Sequence, residues 1–436
     1  MSRPLSRRGI GALVIAALVA SLCAATGIRA QAPSFTLADA AVMARTNHPL
    51  LVAASGRRQM MTGMARQEAV LPNPTFEWRK ENYGSPLPRD EFVSVGMPVD
   101  VYGRRLALRT VRGLVAGRAS ADSATTASDV QYDVARAYWR TALAHALADA
   151  AAVERMAVDT IARIETERAQ QGQVSNGAAL RARLEADRVR LALAEARAEL
   201  ARARGDLARA LAIPFDSVPR PTEPLQIDSS AAALPSLDAL LVQARAGRSE
   251  LLSAQSRVDE MSRRQRAERL GTLPAVGMQV GNKRTSGFLT NTVQVGVAVP
   301  LFDRNGGNRE RARGELLVAE GELRAARSSV DAQVQSAYHA YRVLLDEYAG
   351  RGDTTSGGAE GLRTLDARGG TVAAIAGAAY REGAITVLEL LDAQRARSDV
   401  RGAAYRAAAS VQMARVDLLR ALGLPVDGTR FQLATQ

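Results

Sequence analysis

Cysteine is almost missing from the 436 residues: there is one. That excludes a disulfide framework and any cysteine-built zinc site. Histidine is nearly as rare, and His48, His145 and His339 stand too far apart in sequence to form a metal motif. Aromatic residues are only 4% of the chain. The bulk is Ala, Leu, Arg and Glu, a composition suited to long helices and not to a β-sandwich. No Gly-x-Ser-x-Gly and no Ser-His-Asp order is present. The glycine-rich stretch 302–308 lacks the Gly-Lys-Ser/Thr of a phosphate loop and reads as a strand end followed by a helix start. No catalytic set and no cofactor are expected, so the chain does not read as an enzyme. No apolar run of 18 residues follows residue 31, so the mature chain is either soluble or meets a membrane as a β-barrel.

Residues 1–30 have the layout of an export signal: Arg3, Arg7 and Arg8, an apolar run over 11–25, and a small residue, Ala30, before the expected cleavage. Cys23 lies in the apolar run after Leu22, where a lipid-attachment site wants a small residue. It reads as filler, with lipidation as the alternative. Cleavage removes Arg3, Arg7, Arg8 and Arg29 and takes the formal charge from +12 to +8. Those cations are interleaved with acids along a long chain, which gives no reason to expect a nucleic-acid partner.

The most informative feature is a duplication. At offset 200, Leu37/Leu237, Ala44/Ala244, Arg45/Arg245, Glu68/Glu268 and Pro74/Pro274 coincide. At offset 211, Asp206-Leu207 matches Asp417-Leu418 and Arg209-Ala210-Leu211 matches Arg420-Ala421-Leu422. This divides the chain into a signal (1–30), a first copy (31–214), a proline-rich linker (215–235) and a second copy (236–436). Each copy runs in the same order. One helix spans about ten turns, near 36–70 and 236–270. Two short strands follow, at 75–83 and 91–99, then at 275–283 and 292–299. A long helical hairpin closes each copy.

The strand pattern is clearest in the second copy. Val293, Val295, Val297 and Val299 share one face; Gln294, Gly296 and Ala298 share the other. Period 2 over about ten residues fits a membrane-barrel strand with lipid on one side and water on the other, and it fits equally a soluble hairpin capping a bundle. Trp78 and Trp139 read as interfacial or packing residues. Residues 104–170 hold no proline and imply a helix of about 100 Å. Leu193, Leu200 and Leu207 on the returning helix are seven apart, the spacing of a coiled-coil seam. Residues 350–370 break the symmetry and read as an unwound segment within a helix. The Arg351-Gly352-Asp353 tripeptide in it is a chance match.

The chain resembles TolC-type outer-membrane efflux proteins. The residues that carry the likeness are Thr36-Leu37-Ala38-Asp39-Ala40 with Asn47-His48-Pro49, Val299-Pro300-Leu301-Phe302-Asp303-Arg304-Asn305, and Tyr380-Arg381-Glu382-Gly383 through Leu390-Leu391-Asp392-Ala393. The second stretch is most like the heavy-metal cation efflux branch. The resemblance implies a mainly α fold with a membrane β-barrel portion, in which three chains of four strands close a 12-stranded barrel and the helices form an α-barrel tunnel. It implies a homotrimer in the outer membrane reaching into the periplasm, docked to a periplasmic adaptor (a membrane fusion protein) and an inner-membrane RND-type pump. Drug or solvent export and type I protein secretion share this plan. A soluble periplasmic coiled-coil scaffold or adaptor is the reading outside it.

The resemblance also implies sites. The two helical turns, Gly172-Gln173-Val174-Ser175 and Gly383-Ala384-Ile385-Thr386, fall where adaptor hairpins meet the tunnel tips. Glu389 and Asp392, on one helix face by their i, i+3 spacing, fall where acids narrow its periplasmic end. Ala178 and Arg181 replace this pair in the first copy. The alternative for the acids is an exposed face paired with Arg395 or Arg397.

Overall fold

The computed structural model describes residues 35–82, 84, 86–225, 234–349 and 364–426. The expected signal with Cys23 and the Arg351-Gly352-Asp353 tripeptide lie outside these residues. The elements, in order, are α1 (Leu37–Asn47), α2 (Pro49–Glu68), β1 (Thr75–Glu81), β2 (Asp90–Val99), α3 (Arg104–Gln170), α4 (Asn176–Leu211), a 3-10 turn (Phe215–Ser217), α5 (Leu237–Gly247), α6 (Ser249–Leu270), β3 (Ala275–Thr285), β4 (Phe288–Ala298), α7 (Gly306–Ala349), α8 (Leu365–Arg381) and α9 (Val387–Leu422). The order repeats itself, except that α7 and α8 stand where copy one has the unbroken α3.

The long helices begin and end where the residues dictate. The Asp100 carboxylate accepts from the backbone N–H of Arg104 at 2.9 Å and of Arg105 at 2.7 Å, which fixes the start of α3. At 67 residues α3 is about 100 Å long. Two expectations need correction. The first helix of each copy is two helices, not one. Pro49 has no N–H to donate and takes the first helical position, while His48 Nδ1 caps Leu50 N at 3.2 Å. In copy two the same break falls at Arg248. Its buried guanidinium donates to the carbonyls of Arg420 and Ala421, anchoring the kink on α9. The expected unwinding over 350–370 does not extend to its end, because α8 starts at Leu365 and carries Gly369 and Gly370 in helix. A Cβ at Gly369 would lie 3.4 Å from Arg397 Cα, so the glycine serves a close crossing of α8 on α9.

The core is a thin seam in four parts. Two clusters flank the C-terminal half of α9. One joins Val134, Tyr138 and Trp139 of α3 to Leu207 of α4; the other joins Leu240 of α5 and Val334 of α7 to Leu418. Tyr138 is fully buried, and its hydroxyl donates to Phe35 O at 2.9 Å. Residues 218–225 pack on this level: Pro221 bridges Phe35, and the Glu223 carboxylate accepts from Leu37 N at 2.8 Å. A third cluster lies near the helical turns, with Val158, Ala182, Val189 and Leu391. A fourth, Ala65, Val111 and Val115, lies toward the sheet. Between these, alanine at the contacts lets helices approach closely.

Candidate functional site

The four strands form one antiparallel sheet in the order β1-β2-β3-β4, so the two copies are joined by the β2–β3 pairing. Five strand limits differ from expectation: β2 begins one residue early at Asp90, β4 ends one residue early at Ala298, β1 stops at Glu81, β3 extends to Thr285, and β4 begins at Phe288. The last two lengthen because the turn at Ser286 and Gly287, both with positive φ, lets the ladder run to the Thr285–Phe288 pair.

The register sorts the side chains into two faces. Opposed residues share a face, so Val95, Val280 and Val293 form one cross-strand row, Met97, Met278 and Val295 the next, and Val99, Val276 and Val297 a third. Phe76 and Trp78 of β1 continue this face through their pairs Val95 and Val93. Over these rows it is apolar and yet exposed, with Val293 73%, Val295 62% and Trp78 62% accessible; toward the turns the same face becomes polar, with Asn282 opposite Asn291 and Lys80, Glu91 and Arg284 in the next row. The opposite face is mostly small or polar, with Phe92 and Phe288 its large apolar residues. Gln279 there donates to Glu77 at 2.8 Å and to Ser94 at 2.6 Å. Phe92 on this face lies beneath Arg79 at 4.5 Å and Lys283 at 5.0 Å. Gly281 is required where it sits, since a Cβ would come within 2.3 Å of Val93 O. The outer edges of β1 and β4 have no partner strand among the described residues.

At the other end of the shaft, the two turns are built alike. Gly172 and Gly383 close their helices with φ of +72° and +75°. Ser175 and Thr386 then cap α4 and α9 by accepting from Ala178 N and Glu389 N. Val174 and Ile385 between them are half-buried. Glu389 completes a capping box: its carboxylate accepts from Thr386 N at 2.7 Å and from Thr386 Oγ1 at 3.0 Å, and these bonds hold it below the usual carboxylate range. Asp392 is 74% exposed, with Arg395 at 3.7 Å. Arg395 lies closer to Glu185 of α4, at 2.7 Å. Burial alone would raise the Glu185 pKa; hydrogen bonds from Arg188 and Arg395 outweigh it and lower it.

One group near the turns escapes a reading by motif. Glu165 of α3 is 1% exposed, and its carboxylate accepts from the Tyr380 hydroxyl of α8 and from Arg168 at 3.3 Å. Arg168 also donates to Tyr380 Oη at 2.9 Å. Burial, then the adjacent Glu165 carboxylate, raises the Tyr380 pKa, so its hydroxyl stays a donor. This triad fastens the ends of α3 and α8 together. The signal for it was an acid four residues after Ile161, on the seam of an otherwise apolar stripe.

No protein-family model matches the chain, and no curated protein is similar enough in sequence to match. Solved structures do match in fold. The outer membrane protein VceC of Vibrio cholerae is 16% identical with a TM-score of 0.71, over 89% of this chain and 96% of that one. The Campylobacter jejuni CmeC outer membrane channel is 14% identical with a TM-score of 0.72, over 91% and 87% of the two chains. The open state of the Neisseria gonorrhoeae MtrE outer membrane channel is 19% identical with a TM-score of 0.68, over 89% of each. The chain therefore has the fold of TolC-type outer-membrane channels, as its motifs implied.

Proposed function

We propose that the chain is one protomer of a homotrimeric outer-membrane channel, the passive exit duct of a tripartite efflux system with a periplasmic adaptor and an RND-type pump. One observation carries this reading: a four-stranded sheet whose apolar face is exposed, whose other face is polar, and whose two edges lack partners. A bilayer covers the first, a water-filled lumen the second, and pairing of β4 on β1 of the next copy the third. Among the described residues no helix is long and apolar enough to cross a membrane, so membrane contact falls to the sheet. Membrane fractionation tests it. Heat-modifiable trimers in the outer membrane, conducting in planar bilayers, are expected; a fully soluble periplasmic product would return the scaffold reading.

Residues 1–30 serve as the export signal in this reading. The cargo is small solutes, heavy-metal cations first, because the 299–305 stretch is most like that branch. A deletion strain hypersensitive to drugs alone would replace metals by drugs. The tips at Gly172, Val174, Ser175, Gly383, Ile385 and Thr386 receive the adaptor, supported by their paired construction. Charged substitutions at Val174 and Ile385 are expected to abolish efflux while trimers persist. Asp392, and with it Glu389, lines the periplasmic gate. Support comes from the exposure of Asp392 and from its nearest cation being shared with Glu185. Because Glu389 also caps its own helix, Asp392 is the acid freer to meet cations in the gap.

A further inference from the structure

The offset of 200 continues from the sheet down the shaft. Val130, Val134 and Tyr138 of α3 and Val330, Val334 and Tyr338 of α7 are buried at the same steps. α3 packs against α6 and α9 of the second repeat; α7, its counterpart, meets neither α2 nor α4 of the first among the described residues. The seam between the repeats inside the chain is polar. Arg118 donates to the buried Glu260 at 3.0 Å, and the Thr125 and Ser249 hydroxyls meet at 2.8 Å. Arg420 of α9 donates to Asp129 of α3, and Arg395 of α9 to Glu185 of α4 at 2.7 Å. Gly117 faces Ser256, where a Cβ would lie 4.0 Å from the hydroxyl.

On the uncovered surfaces the same steps carry different chemistry. Val318 and Met60 stand at the positions of Arg118 and Glu260, Ala325 and Pro49 at those of Thr125 and Ser249, and Ala396 and Leu184 at those of Glu185 and Arg395. Leu317 and Gly56 stand at those of Gly117 and Ser256, so the larger residue and the glycine exchange sides. Leu317, Val318, Met60 and Leu184 are 59%, 53%, 58% and 61% exposed, and a Cβ on Gly56 would meet nothing within its own chain. The charges that remain at these levels are held within the chain: Glu322 by Arg257 at 3.1 Å, and Asp206 by Arg209 at 3.6 Å. At the sheet end charge complementarity is kept. Arg304 and Glu68, which also accepts from Arg264, replace the Arg104–Glu268 pair.

We propose that a second copy of this chain covers these surfaces, with α7 of one chain against α2 and α4 of the next, and that apolar packing holds this seam where ion pairs hold the seam inside each chain. Leu317 lies over Gly56 of the next chain, Val318 against its Met60, and Ala396 against its Leu184. This rests on the homotrimer reading and deepens it by assigning the contact surfaces and their chemistry. Apolar seams between chains then alternate with ionic seams inside them around one axis.

Cross-linking and charge exchange test the seam apart from the trimer. The single native cysteine, Cys23, lies in the expected export signal, so introduced cysteines report alone. Gly56→Cys/Leu317→Cys is expected to give covalent trimer on mild oxidation of the full chain in outer membranes, read on a denaturing gel, because a disulfide needs Cβ atoms about 4 Å apart. Either cysteine alone should give none. Val318→Arg should reduce the yield of heat-modifiable trimer. Val318→Arg/Met60→Glu, which copies the Arg118–Glu260 pair into the seam between chains, should restore it. This second readout stands if the cysteine pair fails to assemble. Trimers that form normally but give no cross-link between positions 56 and 317, and no rescue by the charge pair, would overturn the seam and leave the trimer reading intact. A wild-type chain that stays monomeric in the outer membrane would overturn both.

Discussion

The two faces of β4 can be set against each other at one depth. Gln294 and Val295 are neighbours near the middle of the strand and face opposite sides of the sheet. Eleven residues at about 3.4 Å each, tilted by about 45°, rise about 26 Å, close to the apolar band of a membrane barrel. Both sites therefore fall near the bilayer midplane. An arginine at position 295 joins a row with Met97 and Met278 and finds no acid there. Its expected cost is about 2–4 kcal/mol per copy, a factor of about 30 to 700. An arginine at position 294 sits opposite Gln279, whose amide already reaches Glu77, on the polar face. Its expected cost is near zero.

The assay is reversible urea unfolding of trimers in phospholipid bilayers, followed by Trp78 emission, with the yield of heat-modifiable trimer as a second readout. Val295→Arg should lower the midpoint and the yield steeply, and Gln294→Arg should leave both near the wild-type values. Equal tolerance of the two would refute the register or the barrel. A greater loss from Gln294→Arg would invert the faces.

Gly281→Ala should sharply reduce assembled trimer, since its Cβ would meet Val93 O at 2.3 Å, while Gly277→Ala, with open space around it, should assemble normally; gel mobility of unheated samples checks both. Tyr380→Phe strands one lone pair of a buried carboxylate and removes a partner of Arg168; about 1–3 kcal/mol is lost at the tips, read as faster hydrogen exchange at the ends of α3 and α8. Glu185 has a depressed folded pKa, so its contribution is present above the unfolded value of about 4.5 and is lost as pH falls through the lower folded value. Glu185→Gln should flatten that acid limb of the stability curve, and an unchanged limb would show that the α4–α9 ion pair contributes nothing. Replacing Glu389 and Asp392 by Ala should weaken divalent-cation block and cation selectivity in planar bilayers; unchanged block would place both acids outside the pore.

Much of this architecture is legible in the residues, for reasons that are local. The start of α3 follows from Asp100, the ends of α3 and α8 from the glycines at 172 and 383, and the starts of α4 and α9 from the hydroxyl caps Ser175 and Thr386, all of which act locally in the chain. The alternating valines of β4 fix its faces because strand side chains have period 2. What was missed depends on partners distant in sequence. The Arg248 break has no proline to announce it, and its guanidinium is held by α9 carbonyls more than 170 residues away. The Glu165–Tyr380 pairing joins residues 215 apart. Glu389 shows the reverse case. Its i, i+3 relation to Asp392 suggested one acidic face, but the Thr-x-x-Glu spacing around Thr386 was equally a capping signature, and that local bond claims the carboxylate.

The thin seam and the open sheet lead to the same physical requirement. A shaft about 100 Å long and only a few helices wide cannot shield both sides of its contacts, and α4 leaves Leu180, Leu184 and Leu191 exposed at 58%, 61% and 61% on residues four and seven apart. The sheet edges carry unpaired backbone groups that a bilayer cannot satisfy. A cyclic assembly meets both needs with one operation: rotation about a single axis brings β4 to β1 of the next copy and brings the exposed helical stripe against a neighbouring shaft. Any open-ended association would leave two edges, a β1 at one end and a β4 at the other, unpaired in lipid. Barrel closure and tunnel closure are therefore coupled, and a substitution that prevents one is expected to disperse the other.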